Sequence, residues 1–106
     1  MVTVDDIRAR EPELKRLKPD DSELERFIIN AENDSSLHYE LETGETFVDP
    51  SPHFDLCVEF LALQYIFESL IRTDDVYLVK ADRYKKLYQD KFNSLSGNCD
   101  IVGVLR

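Results

Sequence analysis

The chain has 106 residues, and 22 aspartates and glutamates outnumber 13 lysines and arginines, for a formal net charge of −9. This length supports one domain with a single modest core, and it is too short for a catalytic domain plus a regulatory one. The negative charge disfavours unaided binding to nucleic acid or to an anionic membrane, because both carry the same sign.

The first part of the chain predicts two helices. Thr3 and Asp6 have the spacing of a capping box, which predicts a short helix over 4–10, and a further turn over 13–17 is possible before Pro19. Candidate N-caps at 20–22 then open a second helix that runs to about residue 33. Its apolar residues recur at i, i+3, i+4 and i+7, which is one face of a helix: Leu24, Phe27, Ile28 and Ala31.

The period changes between residues 35 and 51. Leu37, Tyr39 and Leu41 alternate with polar residues, and Gly44 offers a turn. This pattern predicts a β-hairpin or an extended loop, with continued helix as the less favoured alternative. Long excursions of this kind are often functional. Its exposed residues are mostly carboxylates: Glu40, Glu42, Glu45 and Asp49.

A central helix is predicted to begin at Ser51 and Pro52, a cap residue followed by proline in the first turn. The carboxylates within 54–71 disfavour a membrane span. Two apolar faces lie between the polar stripes, and the second face needs a partner, most simply a neighbouring subunit. Phe60 and Phe67 are the candidate interface residues. The alternative is that a small bundle simply surrounds its middle helix.

The last helix is predicted over about 74–95, with an apolar, mostly aromatic stripe that indicates a core face rather than a base-stacking platform. Its basic residues predict a solvated face that could also meet an acidic neighbour. Gly97 is the expected C-terminal cap. The arm that follows, 98–106, is too short to bury its own aliphatic residues, so we expect it to bind a partner chain: Ile101, Val102, Val104 and Leu105.

The sequence contains few residues in an arrangement that suits catalysis or metal binding. His38 and His53 are the only histidines, and neither has metal-ligand spacing with another histidine or a cysteine. Phosphate-binding loops and nucleophile elbows are lacking, so we expect neither an enzyme nor a bound metal or cofactor. Cys57 and Cys99 are predicted to be reduced.

The order of these segments carries a resemblance. "TVDDIRAREPEL", "DDSELERFIINAEND", a variable loop, "PHFDLCVEFLALQYIF" and "DRYKKLYQDKFNSL" together resemble the head-to-tail connector, adaptor or head-completion proteins of tailed phages. The likeness is one of helix positions, lengths and an opening phrase, and it covers nearly the whole chain. It implies a mainly α subunit: a bundle of about four helices over 1–97, with the loop at about 35–51, and an extended arm over 98–106.

The resemblance also implies a function. Such proteins are virion components, made in the host cytoplasm, that form a ring, usually of twelve copies, between the portal protein and a tail or stopper protein. Genomic DNA passes through the ring without specific binding, and no membrane is involved. The loop carboxylates would then line the lumen or face the next ring, and the arm would reach the portal or a neighbour.

Two other functions remain open at this stage. A small acidic binding module, such as an antitoxin-like inhibitor or a DNA mimic, would use its carboxylates to occupy a basic site on one soluble partner. A small helical enzyme would require a pocket that unites His38 or His53 with several carboxylates. Assembly distinguishes the first of these from a ring subunit, because an inhibitor forms a small complex of fixed stoichiometry.

Overall fold

The computed structural model describes residues 2–15, 20–44, 52–72 and 74–96, without the side chains of 52, 53, 95 and 96. Within these ranges the chain is a small bundle of four α-helices: α1 (Val4–Arg10), α2 (Asp21–Thr43), α3 (Pro52–Leu70) and α4 (Val76–Ser96). A single 3₁₀ turn, Pro12–Lys15, follows α1. The mainly α fold class predicted from the sequence is confirmed.

Side-chain capping fixes where the first two helices begin. The Asp6 amide donates to Thr3 Oγ1 at 3.2 Å, and the Thr3 amide donates to Asp6 Oδ2 at 2.9 Å. Asp20 and Glu23 form the same reciprocal pair at the start of α2. Both boxes satisfy amides that the first helical turn leaves without partners, so the predicted starts are confirmed.

Helix α2 continues ten residues further than predicted, to Thr43, and this corrects the hairpin or loop expected from residue 35 onward. The buried face of α2 keeps a helical spacing through Ser35, which is fully buried. Gly44 is the C-terminal cap of α2 rather than a hairpin turn, because its φ of 73° is left-handed and its amide donates to the Glu40 carbonyl at 2.8 Å. Residues 45–51 lie outside the described ranges.

Helix α3 is the centre of the bundle and packs against α1, α2 and α4. It supplies nine of the buried hydrophobic residues: Phe54, Cys57, Val58, Phe60, Leu61, Ala62, Leu63, Ile66 and Phe67. The second apolar face was expected to need another subunit, and the structure corrects this, because α2 and α4 cover α3 from different sides. Phe60 and Phe67 are 8% and 0% exposed, so neither is available to a neighbouring subunit.

Helix α4 pairs with α3 across a short turn and contributes the aromatic stripe predicted from its spacing. Its stripe is buried against α3: Tyr77, Ala81, Tyr84, Tyr88 and Phe92. Phe67 lies within this aromatic layer, with ring centroids 5.6 Å from Tyr77 and 5.9 Å from Tyr84. None of the helices in the described ranges has both the length and the apolar character needed to cross a membrane.

Candidate interaction surfaces

The predicted site residues fall into two groups. Glu40 and Glu42 lie in the last turns of α2, and Glu42 Oε1 is 3.4 Å from His38 Nε2. The other predicted loop carboxylates, Glu45 and Asp49, lie outside the described residues. So does the arm over 98–106, with Ile101, Val102, Val104 and Leu105. Their roles therefore stay predictions.

A polar cluster ties the N-terminal segment to α4. Lys80 Nζ donates to Glu11 Oε1 at 2.8 Å and to Glu13 Oε1 at 2.6 Å, and the Tyr84 hydroxyl donates to Glu11 Oε2. Burial opposes the charge of Lys80, but its hydrogen bonds to the two carboxylates outweigh burial and raise its pKa. Burial and the hydrogen bond to Glu11 raise the pKa of the Tyr84 hydroxyl. Glu11, only 13% exposed, is thus the centre of this cluster.

A second polar contact joins α1 to the central helix. Arg10 donates through Nε to Glu59, and its guanidinium carbon lies 5.2 Å from the centre of the Phe60 ring. The Arg10 guanidinium therefore lies over the Phe60 ring at one edge of the core. Its charge also neutralises the Glu59 carboxylate of α3. These contacts tie the end of α1 to α3.

His38 belongs to a packed cluster at the other end of the bundle. Its ring stacks on Phe92 with a centroid separation of 3.8 Å, and its Nδ1 is 2.9 Å from the Tyr88 hydroxyl. The side chain of the second histidine, His53, is not described. Among the described residues, Glu42 is the carboxylate that pairs with His38. Among the same residues no group of three or more metal-ligating side chains converges.

A buried thiol and a buried phenol in the core have raised pKa values, which predict how the stability of the fold depends on pH. Burial raises the pKa of the Cys57 thiol from its ordinary 9.0 to about 11, and burial raises that of Tyr88 to about 12. As the pH rises, the unfolded chain therefore loses the protons of these two groups at a lower pH than the native state does. Stability should be fully present below about pH 9 and should fall as the pH rises toward 11.

Urea denaturation followed by circular dichroism from pH 7 to 11 measures this loss. The Cys57→Ala variant should show a shallower decline between pH 9 and 11, because its titrating thiol is gone. Equal slopes for the parent and the variant would show that Cys57 does not contribute.

An acidic groove lies between the start of α1 and the first half of α2. Its volume is about 440 Å³, and it is lined by apolar and acidic side chains: Val2, Val4, Ile28 and Ile29, and Asp5, Asp21, Glu25 and Glu32. Ile29 is 56% exposed. Asp21 is already paired with Arg8 at 2.5 Å, whereas Glu25 and Glu32 form no ion pair with any described residue. This groove was not predicted from the sequence.

A basic face lies on the outer side of α4. Arg83, Lys85 and Lys86 line a shallow depression together with Val79, Asp82 and Gln89. Val79 is 69% exposed. The ion pairs of the described ranges involve other basic residues, so Arg83, Lys85 and Lys86 form none there. The alternation of basic and aromatic residues along α4 did predict a polar face here, but not an exposed aliphatic residue within it.

Large aliphatic side chains are exposed on two helices. They are Ile29, Leu37 and Leu41 on α2 and Val76, Leu78 and Val79 on α4, each about half exposed or more. Leu37 and Leu41 were the alternating residues that suggested a strand. Their true arrangement, one helical turn apart on a surface of α2, gives an exposed apolar strip instead.

Comparison with known proteins gives no relative. No protein-family model matches the chain, and neither the curated proteins nor the solved structures that were searched contain a significant match.

Proposed function

We propose that this chain is a structural subunit of a tailed-phage head-to-tail connector, which assembles into a ring between the portal and the tail and extends the DNA channel. The observation that supports the proposal is the presence of two separate sets of exposed aliphatic side chains, on α2 and on α4. Because α3 lies between these helices, a subunit can contact one neighbour through each. Repeated contacts of that kind close into a ring when the rotation per subunit permits.

The charge of the chain suits a DNA channel. About a dozen copies at −9 each would carry on the order of −100 charges, so a lumen of that sign would repel DNA and let it slide. Glu40, Glu42, Glu45 and Asp49 are the proposed lumen residues. The portal protein and a tail or stopper protein are the proposed partners above and below the ring.

The arm over 98–106 is proposed to join the subunit to the portal or to a neighbour. Burying three or four aliphatic side chains contributes roughly 1.5–3 kcal/mol each before the cost of ordering the arm, so the net gain per arm is only a few kcal/mol. Repetition around a ring multiplies that gain through avidity.

Electron microscopy of particles from the virus that encodes the chain tests the proposal. Gold-labelled antibody should mark the head–tail junction, and a variant lacking residues 99–106 should be folded and soluble but absent from particles. The full-length chain carried through the same purification is the control.

Two results would count against this function. Labelling elsewhere than the junction would exclude the connector role. A compact complex of fixed stoichiometry with one soluble partner, and no ring in any particle, would favour the acidic binding module instead.

A further inference from the structure

We infer that the acidic groove between α1 and α2 receives the basic face of α4 from a second copy of the chain, so that subunits associate head to tail. The inference rests on the proposed function and names the contact between neighbouring subunits. The occupant is a second copy because the two surfaces are complementary in charge and belong to the same polypeptide. They share no residue, so each subunit can use both at once.

The basic residues of α4 differ in whether they form an ion pair within their own chain. Lys80, beside the core, is already held by Glu11 and Glu13 of its own chain. Arg83 and Lys86, on the outer side, form no ion pair with any described residue although the chain has a large excess of carboxylates. Basic side chains left without partners on an acidic protein are positioned to meet an acidic surface of another molecule.

The groove supplies that surface. Glu25 and Glu32 lie two turns apart along one edge of α2, and Ile29 is exposed between them. On α4, Val79 is exposed one turn before Arg83 and two turns before Lys86. Each surface therefore presents one exposed aliphatic side chain among charges of mainly one sign: carboxylates in the groove, and three basic residues beside the single Asp82 on the face.

A contact between two different surfaces is heterologous. It leaves a free groove at one end of a dimer and a free basic face at the other, so association continues until a ring closes. A two-fold symmetric dimer would instead place the groove of each copy on the basic face of the other within one interface, which satisfies the same charges but stops at two copies. The head-to-tail arrangement predicts species larger than a dimer, and sedimentation of the parent chain distinguishes the two.

Charge reversal tests the contact directly by sedimentation velocity at low ionic strength. The face variant is Arg83→Glu with Lys86→Glu, and the groove variant is Glu25→Lys with Glu32→Lys. Each variant alone should need at least about tenfold higher concentration than the parent to associate, because like charges then oppose each other. An equimolar mixture of the two should recover association, since each groove again meets a face of opposite sign.

The combined variant, which carries all four changes, is the matched control. It keeps the net charge of −9 and should associate with itself but not with the parent chain. A second control, Lys15→Glu with Arg72→Glu, alters the net charge as the face variant does, but at residues that line neither surface, and should associate as the parent does.

The outcomes separate the inference from the proposed function. If the parent associates and all charge variants associate equally, this contact is wrong while a ring subunit remains possible. If the face variant and the groove variant each fail to associate, and a mixture of the two also fails, the surfaces bind something other than each other. A parent chain that stays monomeric, both free and in particles, overturns the contact and the ring together.

Discussion

Replacing Phe67 by alanine should lower the free energy of unfolding by about 3–5 kcal/mol. The Phe67 side chain is fully buried and lies between the Tyr77 and Tyr84 rings, so its removal loses apolar burial and leaves a cavity in the aromatic layer between α3 and α4. Urea denaturation at neutral pH, with the midpoint and slope analysed together, measures the change.

Leu41→Ala is the matched control, because Leu41 is also a large apolar residue within a helix but is 76% exposed. It should change the free energy of unfolding by no more than about 0.5 kcal/mol. If Phe67→Ala were as stable as Leu41→Ala, Phe67 would not belong to the subunit core, and the original expectation of an interface residue on α3 would regain support.

Replacing Glu11 by alanine should cost about 1–3 kcal/mol of stability. The change removes the acceptor of the buried Tyr84 hydroxyl and one of the two carboxylates that hold Lys80. The α1 segment would then lose its main polar attachment to α4. Thermal and urea denaturation measure the loss, and faster amide hydrogen exchange in α1 should accompany it.

Glu13→Ala is the control for Glu11. Glu13 is 34% exposed and contacts Lys80 alone among these groups, so its loss should cost no more than about 1 kcal/mol. A double-mutant cycle of Glu11→Ala with Tyr84→Phe should show a coupling of about 0.5–3 kcal/mol. A coupling near zero would mean that the hydroxyl and the carboxylate do not interact in solution.

Local signals in the sequence predicted most helix positions. The capping box at Thr3 and a helix start at residues 20–22 depend only on neighbouring residues; the structure confirms the box and identifies Asp20 as the cap of α2. The aromatic spacing of α4 likewise predicted its buried face. These features were predictable because their hydrogen bonds and periodicity are contained within about two helical turns.

The segment after residue 35 was not predictable in the same way. Leu37 and Leu41 alternate as a strand would, yet they are exposed, and the contacts that pack this part of α2 come from polar residues: the buried Ser35 and His38, whose ring stacks on Phe92. A pattern of hydrophobic residues does not include a serine, so the sequence did not predict that Ser35 is buried. Packing against the bundle favours helix as far as the left-handed Gly44.

The sequence by itself determined that this chain is a small, acidic, mainly helical domain, because helix caps and apolar periods act over a few residues. Only the tertiary structure decided which surfaces are free. The apolar residues of α3 have the same pattern whether its own helices or another subunit cover them, and here the Tyr77 and Tyr84 rings of α4 lie against Phe60 and Phe67. The acidic groove likewise exists only because α1 folds back beside α2, bringing Val2 and Glu25, distant in the sequence, to one surface.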